Sequence, residues 1–118
     1  MTDAAGLPAH EVVRRMFAAY RAGDRTAAEV LLSPGLRFTS PQDDHIDRTT
    51  YLERCFPTAA RFRSQRIVAT STVGEQVFVL YEYELADTAE RFRNTEVITV
   101  QGGRIAEIQV FFSGRARE

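Results

Sequence analysis

Glu96 lies in a run of Thr, Val and Ile, with Asn94 on one side and Ile98 on the other. Side chains alternate along a strand, so Asn94, Glu96, Ile98 and Val100 share one face. If that face is the inner one, a carboxylate stands among apolar neighbours, which is costly unless something uses or satisfies it. Two readings follow. Glu96 is an acid or base in a cavity, with its charged form disfavoured and its pKa raised. Alternatively it pairs with an arginine such as Arg66 or Arg93 and is structural. Asn94 either orients a ligand carbonyl or makes a structural hydrogen bond. Tyr20, Tyr81 and Tyr83 carry hydroxyls on large apolar bodies, and are either cavity-lining donors or core aromatics with satisfied hydroxyls. Asp43, Asp44 and His45 read as a solvated loop, because adjacent loop side chains rarely converge on one ion and His10 is far off in sequence. Asp44 or His45 could stand at a pocket mouth. Cys55 falls at core spacing on a helix. No metal or cofactor is expected. No Ser-His or Cys-His pairing can be argued, and no Gly-rich phosphate loop follows a strand.

The elements that would position these residues are marked in order. Val12, Val13, Met16, Phe17 and Tyr20 recur at helical spacing from about His10 to Ala22. Gly23 suits the helix end, and Asp24 can cap a second helix carrying Ala27, Ala28, Leu31 and Leu32, which stops at Ser33-Pro34-Gly35. Leu36 to Ser40 reads as a short strand ended by Pro41. A polar loop from Gln42 to Ile46 leads to Asp47, the cap of a third helix with Tyr51, Leu52, Cys55 and Phe56 on its inner face and Pro57 at its end. Long strands are expected near Arg63–Val73, Gln76–Leu85 and Arg91–Val100, and a last one near Arg104–Phe112. Turns fall at Val73-Gly74-Glu75 and Ala86-Asp87-Thr88, and Gln101-Gly102-Gly103 reads as a hairpin turn.

Helices first and antiparallel strands afterwards predict an α+β architecture with helices on one face of the sheet. Strands this long in a chain of 118 residues must curl, leaving a cone under the helices. Phe78, Leu80 and Val97 fall on the opposite, convex face and predict a sheet-to-sheet homodimer. The chain is expected to form one domain over residues 1–118, with about the first eight residues flexible.

Composition excludes several classes. A formal net charge of −1 gives no basic footprint for nucleic acid, and every basic residue other than histidine is arginine. No apolar run reaches membrane-spanning length, and the start lacks a secretory pattern. The single cysteine, Cys55, fits a reducing cytoplasm.

The segments FAAYRAGD (Phe17–Asp24), LLSPGLRFTSP (Leu31–Pro41) and FRNTEVITVQGGRIAEIQVFF (Phe92–Phe112) resemble the nuclear transport factor 2-like superfamily, in its SnoaL-like branch. The resemblance covers nearly the whole chain in matching order. It implies a cone-shaped α+β fold, homodimers, and a deep pocket between sheet and helices. It also implies a membership that ranges from ketosteroid isomerase and polyketide cyclases to pocket proteins without a reaction. Of the three ketosteroid isomerase positions, the general base falls on Ser40, the oxyanion-binding tyrosine on Met16, and the protonated aspartate opposite Glu96. The last correspondence is chemically similar; that aspartate is a known case of a carboxylic acid kept neutral by its apolar site. Steroid isomerisation by that mechanism is therefore not expected.

The function expected is a small-molecule pocket with Glu96 as acid or base and Tyr20, Ser40, Tyr81, Tyr83 and Asn94 as ligand contacts. The reaction would be of isomerase, cyclase or lyase type on a small apolar or polyketide-like molecule. The alternative is a non-catalytic ligand-binding or dimeric interaction module. Residues Pro41 to Asp47 are expected to form a flap over the cavity mouth.

Overall fold

The computed structural model describes residues 6–116, so the expected flexible N-terminus lies outside the described residues except for its last few positions. There Leu7 already packs against the core. Helix α1 (Ala9–Ala22) buries Val12, Val13, Met16 and Phe17, the stripe its spacing demands. It ends at Gly23, whose φ of 66° is the left-handed conformation that glycine adopts without a Cβ penalty. Helix α2 (Arg25–Leu31) starts where the Asp24 side chain accepts from the Ala27 amide. Helix α3 (Arg48–Arg54) starts the same way, with Asp47 accepting from Thr50. Both are N-caps that satisfy otherwise orphaned amides.

Six strands form one sheet: β1 (Leu32–Ser40), β2 (Asp43–Ile46), β3 (Phe62–Val73), β4 (Gln76–Leu85), β5 (Arg91–Gln101) and β6 (Arg104–Arg115). Their order is β2-β1-β6-β5-β4-β3. Every pairing is antiparallel except β1 with β6, which is parallel. The sheet is thus mixed, curled and not closed, with the helices over its concave face, as the α+β reading required. Val77, Val79, Ile98 and Ile105 are essentially fully buried under the helices. No helix among the described residues is long and apolar enough to cross a membrane.

Three boundaries differ from expectation. Leu32 opens β1 instead of closing α2, and Ser33-Pro34-Gly35 is the irregular stretch where the register with β6 shifts. The proline expected to stop the second helix falls instead inside this irregular part of β1. The expected polar loop at Gln42–Ile46 contains β2, which folds back on β1 and pairs Ser40 with Asp43 and Phe38 with Ile46. Pro57 does not end a helix. It sits in the first turn of a 3-10 helix, Phe56–Arg61, where its missing N–H costs nothing.

Among the described residues no helix covers the outer sheet face. Phe78 is 37% exposed there, with Leu80 and Val97 half-buried beside it. Glu82 on the same face accepts from Arg93 at 2.7 Å and from Arg66 at 3.3 Å.

Candidate functional site

Between the concave face and the helices lies a cavity of about 500 Å³, in the size range of small-molecule sites. All six residues expected from the sequence line it: Tyr20, Ser40, Tyr81, Tyr83, Asn94 and Glu96. Alternation puts Glu96 inward, because its register partners Val79 on β4 and Val110 on β6 also face in. Asn94 lies opposite Tyr81, so Tyr81 is the diagonal neighbour of Glu96, a spacing within reach of an aromatic side chain.

These three side chains form a chain of hydrogen bonds. The Asn94 Nδ2 donates to the Tyr81 hydroxyl at 3.2 Å, and that hydroxyl donates to Glu96 Oε2 at 2.7 Å. Among the described residues no cation pairs with Glu96. Both arginines that might have neutralised it, Arg66 and Arg93, bind Glu82 on the other side of the sheet. Burial therefore dominates and pushes the Glu96 pKa up to about 7, with the Tyr81 hydrogen bond pulling in the opposite direction. The residue keeps intermediate exposure because the cavity opens to water.

The tyrosines respond to the same environment. Burial raises Tyr81 far above the ordinary phenol range, and the adjacent Glu96 charge raises it further. Tyr20 is pushed up to about 12 by burial, although a 2.6 Å hydrogen bond to Thr58 opposes the shift. Burial also raises Tyr83. All three stay protonated as donors at neutral pH. Tyr20 and Tyr81 are both cavity-lining and satisfied, so the two readings of them coincide.

Asp43, Tyr51, Arg54, Cys55 and Gln65 also line the cavity, outside the expected set. Asp43 was read as solvated, yet its side chain is only 9% exposed and lies 2.8 Å from Arg54 Nη2. The pairing of β2 with β1 turns it inward, where it accepts from Ser40 at 3.3 Å and lies 3.8 Å from the Cys55 sulfur. Asp44 and His45 are exposed, and no group of metal-binding side chains occurs among the described residues. Cys55 is half-buried, and burial with the Asp43 charge pushes its thiol up to about 11, so it is unreactive at neutral pH. Arg54 stands at the rim. Gln65 lines the cavity because a register shift between Phe62 and Ser64 turns both Phe62 and Gln65 inward. Tyr51, read as a core residue of α3, also lines the cavity, and its titration feels the Glu96 charge after burial. Its helical spacing from Cys55 was the available signal.

A family model described as a SnoaL-like domain matches residues 13–108. No protein of curated function matches the sequence. Among solved structures, the chain is similar to a candidate polyketide cyclase from Sinorhizobium meliloti, with a TM-score of 0.76, 16% identity, and coverage of 92% of this chain and 99% of that one. It is similar to a candidate ketosteroid isomerase from Kribbella flavida at a TM-score of 0.76 and 18% identity, covering 93% of this chain and 80% of that one. It is also similar to an NTF2-like protein of unknown function from Cytophaga hutchinsonii, with a TM-score of 0.73, 15% identity and 91% coverage of both chains. At such identities these likenesses establish the shared fold and leave chemistry to the residues of this chain.

Proposed function

The chain belongs to the SnoaL-like domain family, and from that premise we propose that its cavity binds a small, largely apolar or polyketide-like molecule and that Glu96 moves a proton on it. The observation that carries this reading is a carboxyl group inside the cavity with no counter-charge among the described residues, its pKa pushed up to about 7 by burial. Near neutral pH such a group is present in both forms, the condition under which one residue serves as acid and base. The ionised form takes a proton from carbon next to a carbonyl, the C–H electron pair passing into the enolate. The neutral form returns that proton at another atom. This is chemistry of the isomerase, cyclase or lyase type.

Tyr81 tunes the acid by donating to it, and Asn94 holds Tyr81 in place. Tyr20, Tyr83 and Ser40 complete the polar contacts in an otherwise aromatic lining. The fold of candidate cyclase and isomerase neighbours accords with this reading without assigning a substrate. We further propose that the protein is a homodimer through the uncovered outer face around Phe78, Leu80 and Val97.

The test is Glu96→Gln, which keeps shape and a donor while removing titration. Turnover of a carbonyl substrate is expected to fall by at least about a hundredfold, with ligand affinity retained. A variant matching wild type in turnover across pH would exclude acid–base chemistry at Glu96, whereas a wild type that binds such ligands and turns none over would leave a non-catalytic binding module as the correct reading.

A further inference from the structure

Two cavity-lining amides have buried carbonyl oxygens without a partner among the described residues: Asn94 Oδ1 and Gln65 Oε1. Asn94 as a whole is only 9% exposed. The orientation of its amide follows from the chain of bonds already described. Tyr81 spends its one proton on Glu96, so its oxygen can only accept, and Asn94 must turn its NH2 toward it. The Asn94 oxygen is thereby left over. Orphaned buried acceptors are uncommon in folded proteins and call for a partner.

Charge in the cavity is equally one-sided. Arg54 is the one cationic side chain lining it among the described residues, and it is engaged with Asp43 at the rim. Among the described residues Glu96 has no counter-ion, and Phe17, Phe38 and Ile98 add apolar lining around it. An anion entering this space would lose its water and meet no positive charge.

Resting on the reading of the cavity as a ligand site, we propose that its wall around Asn94 and Gln65 accepts a head group that donates hydrogen bonds and carries no negative charge, a hydroxyl or an ammonium. A hydroxyl, with one proton, satisfies one of the Asn94 and Gln65 oxygens, and an ammonium carries protons enough for both. An ammonium gains in addition from the Glu96 carboxylate. The structure thus separates substrate classes that share an apolar body: phenols, alcohols and amines are admitted, whereas carboxylates and phosphates are refused.

The test is calorimetric titration of the intact protein near neutral pH with four probes of one shape: naphthylmethanol, its methyl ether, naphthylmethylammonium and naphthoate. The alcohol and the ammonium are expected to bind at least about fivefold tighter than the ether, the effect of one satisfied buried acceptor. Naphthoate is expected to bind weakest. Gln65→Met should shrink the preference for alcohol over ether, with an unchanged far-UV circular dichroism spectrum and a cooperative thermal transition as the control for folding. Glu96→Gln should weaken the ammonium by about tenfold and the alcohol little. Naphthoate binding as tightly as the alcohol, or ether equal to alcohol, overturns the assignment while the cavity stays a ligand site. Failure of every probe to bind removes the ligand-site reading itself, and this inference with it.

Discussion

Replacing Glu96 with Gln should change the pH dependence of stability in a direction that the cavity dictates. The Glu96 pKa is about 7 in the folded protein against an ordinary value of 4.5, so the native state holds this proton more tightly than the unfolded chain does. Its favourable contribution is fully present below the unfolded value. It is lost as pH rises toward the folded value, and above that the folded state carries the whole cost of a desolvated carboxylate. A pKa difference of roughly 2.5, at 1.36 kcal/mol for each pKa unit, corresponds to about 3 kcal/mol. Water entering through the open cavity reduces this to an expected 2–3 kcal/mol, to order of magnitude. Urea unfolding of wild type and Glu96→Gln between pH of about 4.5 and about 8 measures it directly. The stability of wild type minus that of the variant should fall by this amount across the window and be flat beyond it. A difference independent of pH would mean that Glu96 titrates as an exposed carboxylate does. A difference that grows with pH would mean that a cation reaches it, and the proton-transfer reading would be lost.

Tyr81→Phe removes the donor that opposes desolvation, so the Glu96 carboxyl should titrate at higher pH than in wild type, as followed by carbon NMR of labelled glutamate; an unchanged midpoint would deny the hydrogen bond. Arg54→Ala strands the inward-facing Asp43 and should cost about 1 kcal/mol. Adding Asp43→Asn should recover most of that loss in thermal unfolding, and no recovery would mean the pair is not coupled. Sedimentation should show a dimer for wild type and a shift toward monomer for Phe78→Glu, whereas a wild-type monomer at micromolar concentration would refute the outer-face interface. Amides of β2 should exchange with solvent faster than those of β4 and β5, because this short edge strand pairs on one side and across an irregular register; equal protection would argue against a movable flap.

Periodicity alone determined the three helices, the long strands and the face that Glu96 shares with Asn94 and Ile98, because a period of two or of about 3.6 needs only the local chain, whereas the helices packed on that face made it the inner one. It also held an unused signal. Arg93 is an odd number of positions from Glu96, so alternation already puts the two on opposite faces and removes Arg93 as a partner. The assignment of Arg66 to Glu82 required the register of β3 on β4, a non-local fact. Gln65 entered the cavity through a bulge, which inverts the alternation without a mark in the sequence. Asp43 changed from a solvated residue to an inward one only because β2 folds back on β1. The pKa of Glu96 was likewise beyond the sequence. Its direction follows from an apolar strand face, but the absence of a counter-charge depends on where every arginine in the fold ends up. Local sequence decides which way a side chain points; only the assembled sheet and helices decide what it meets there.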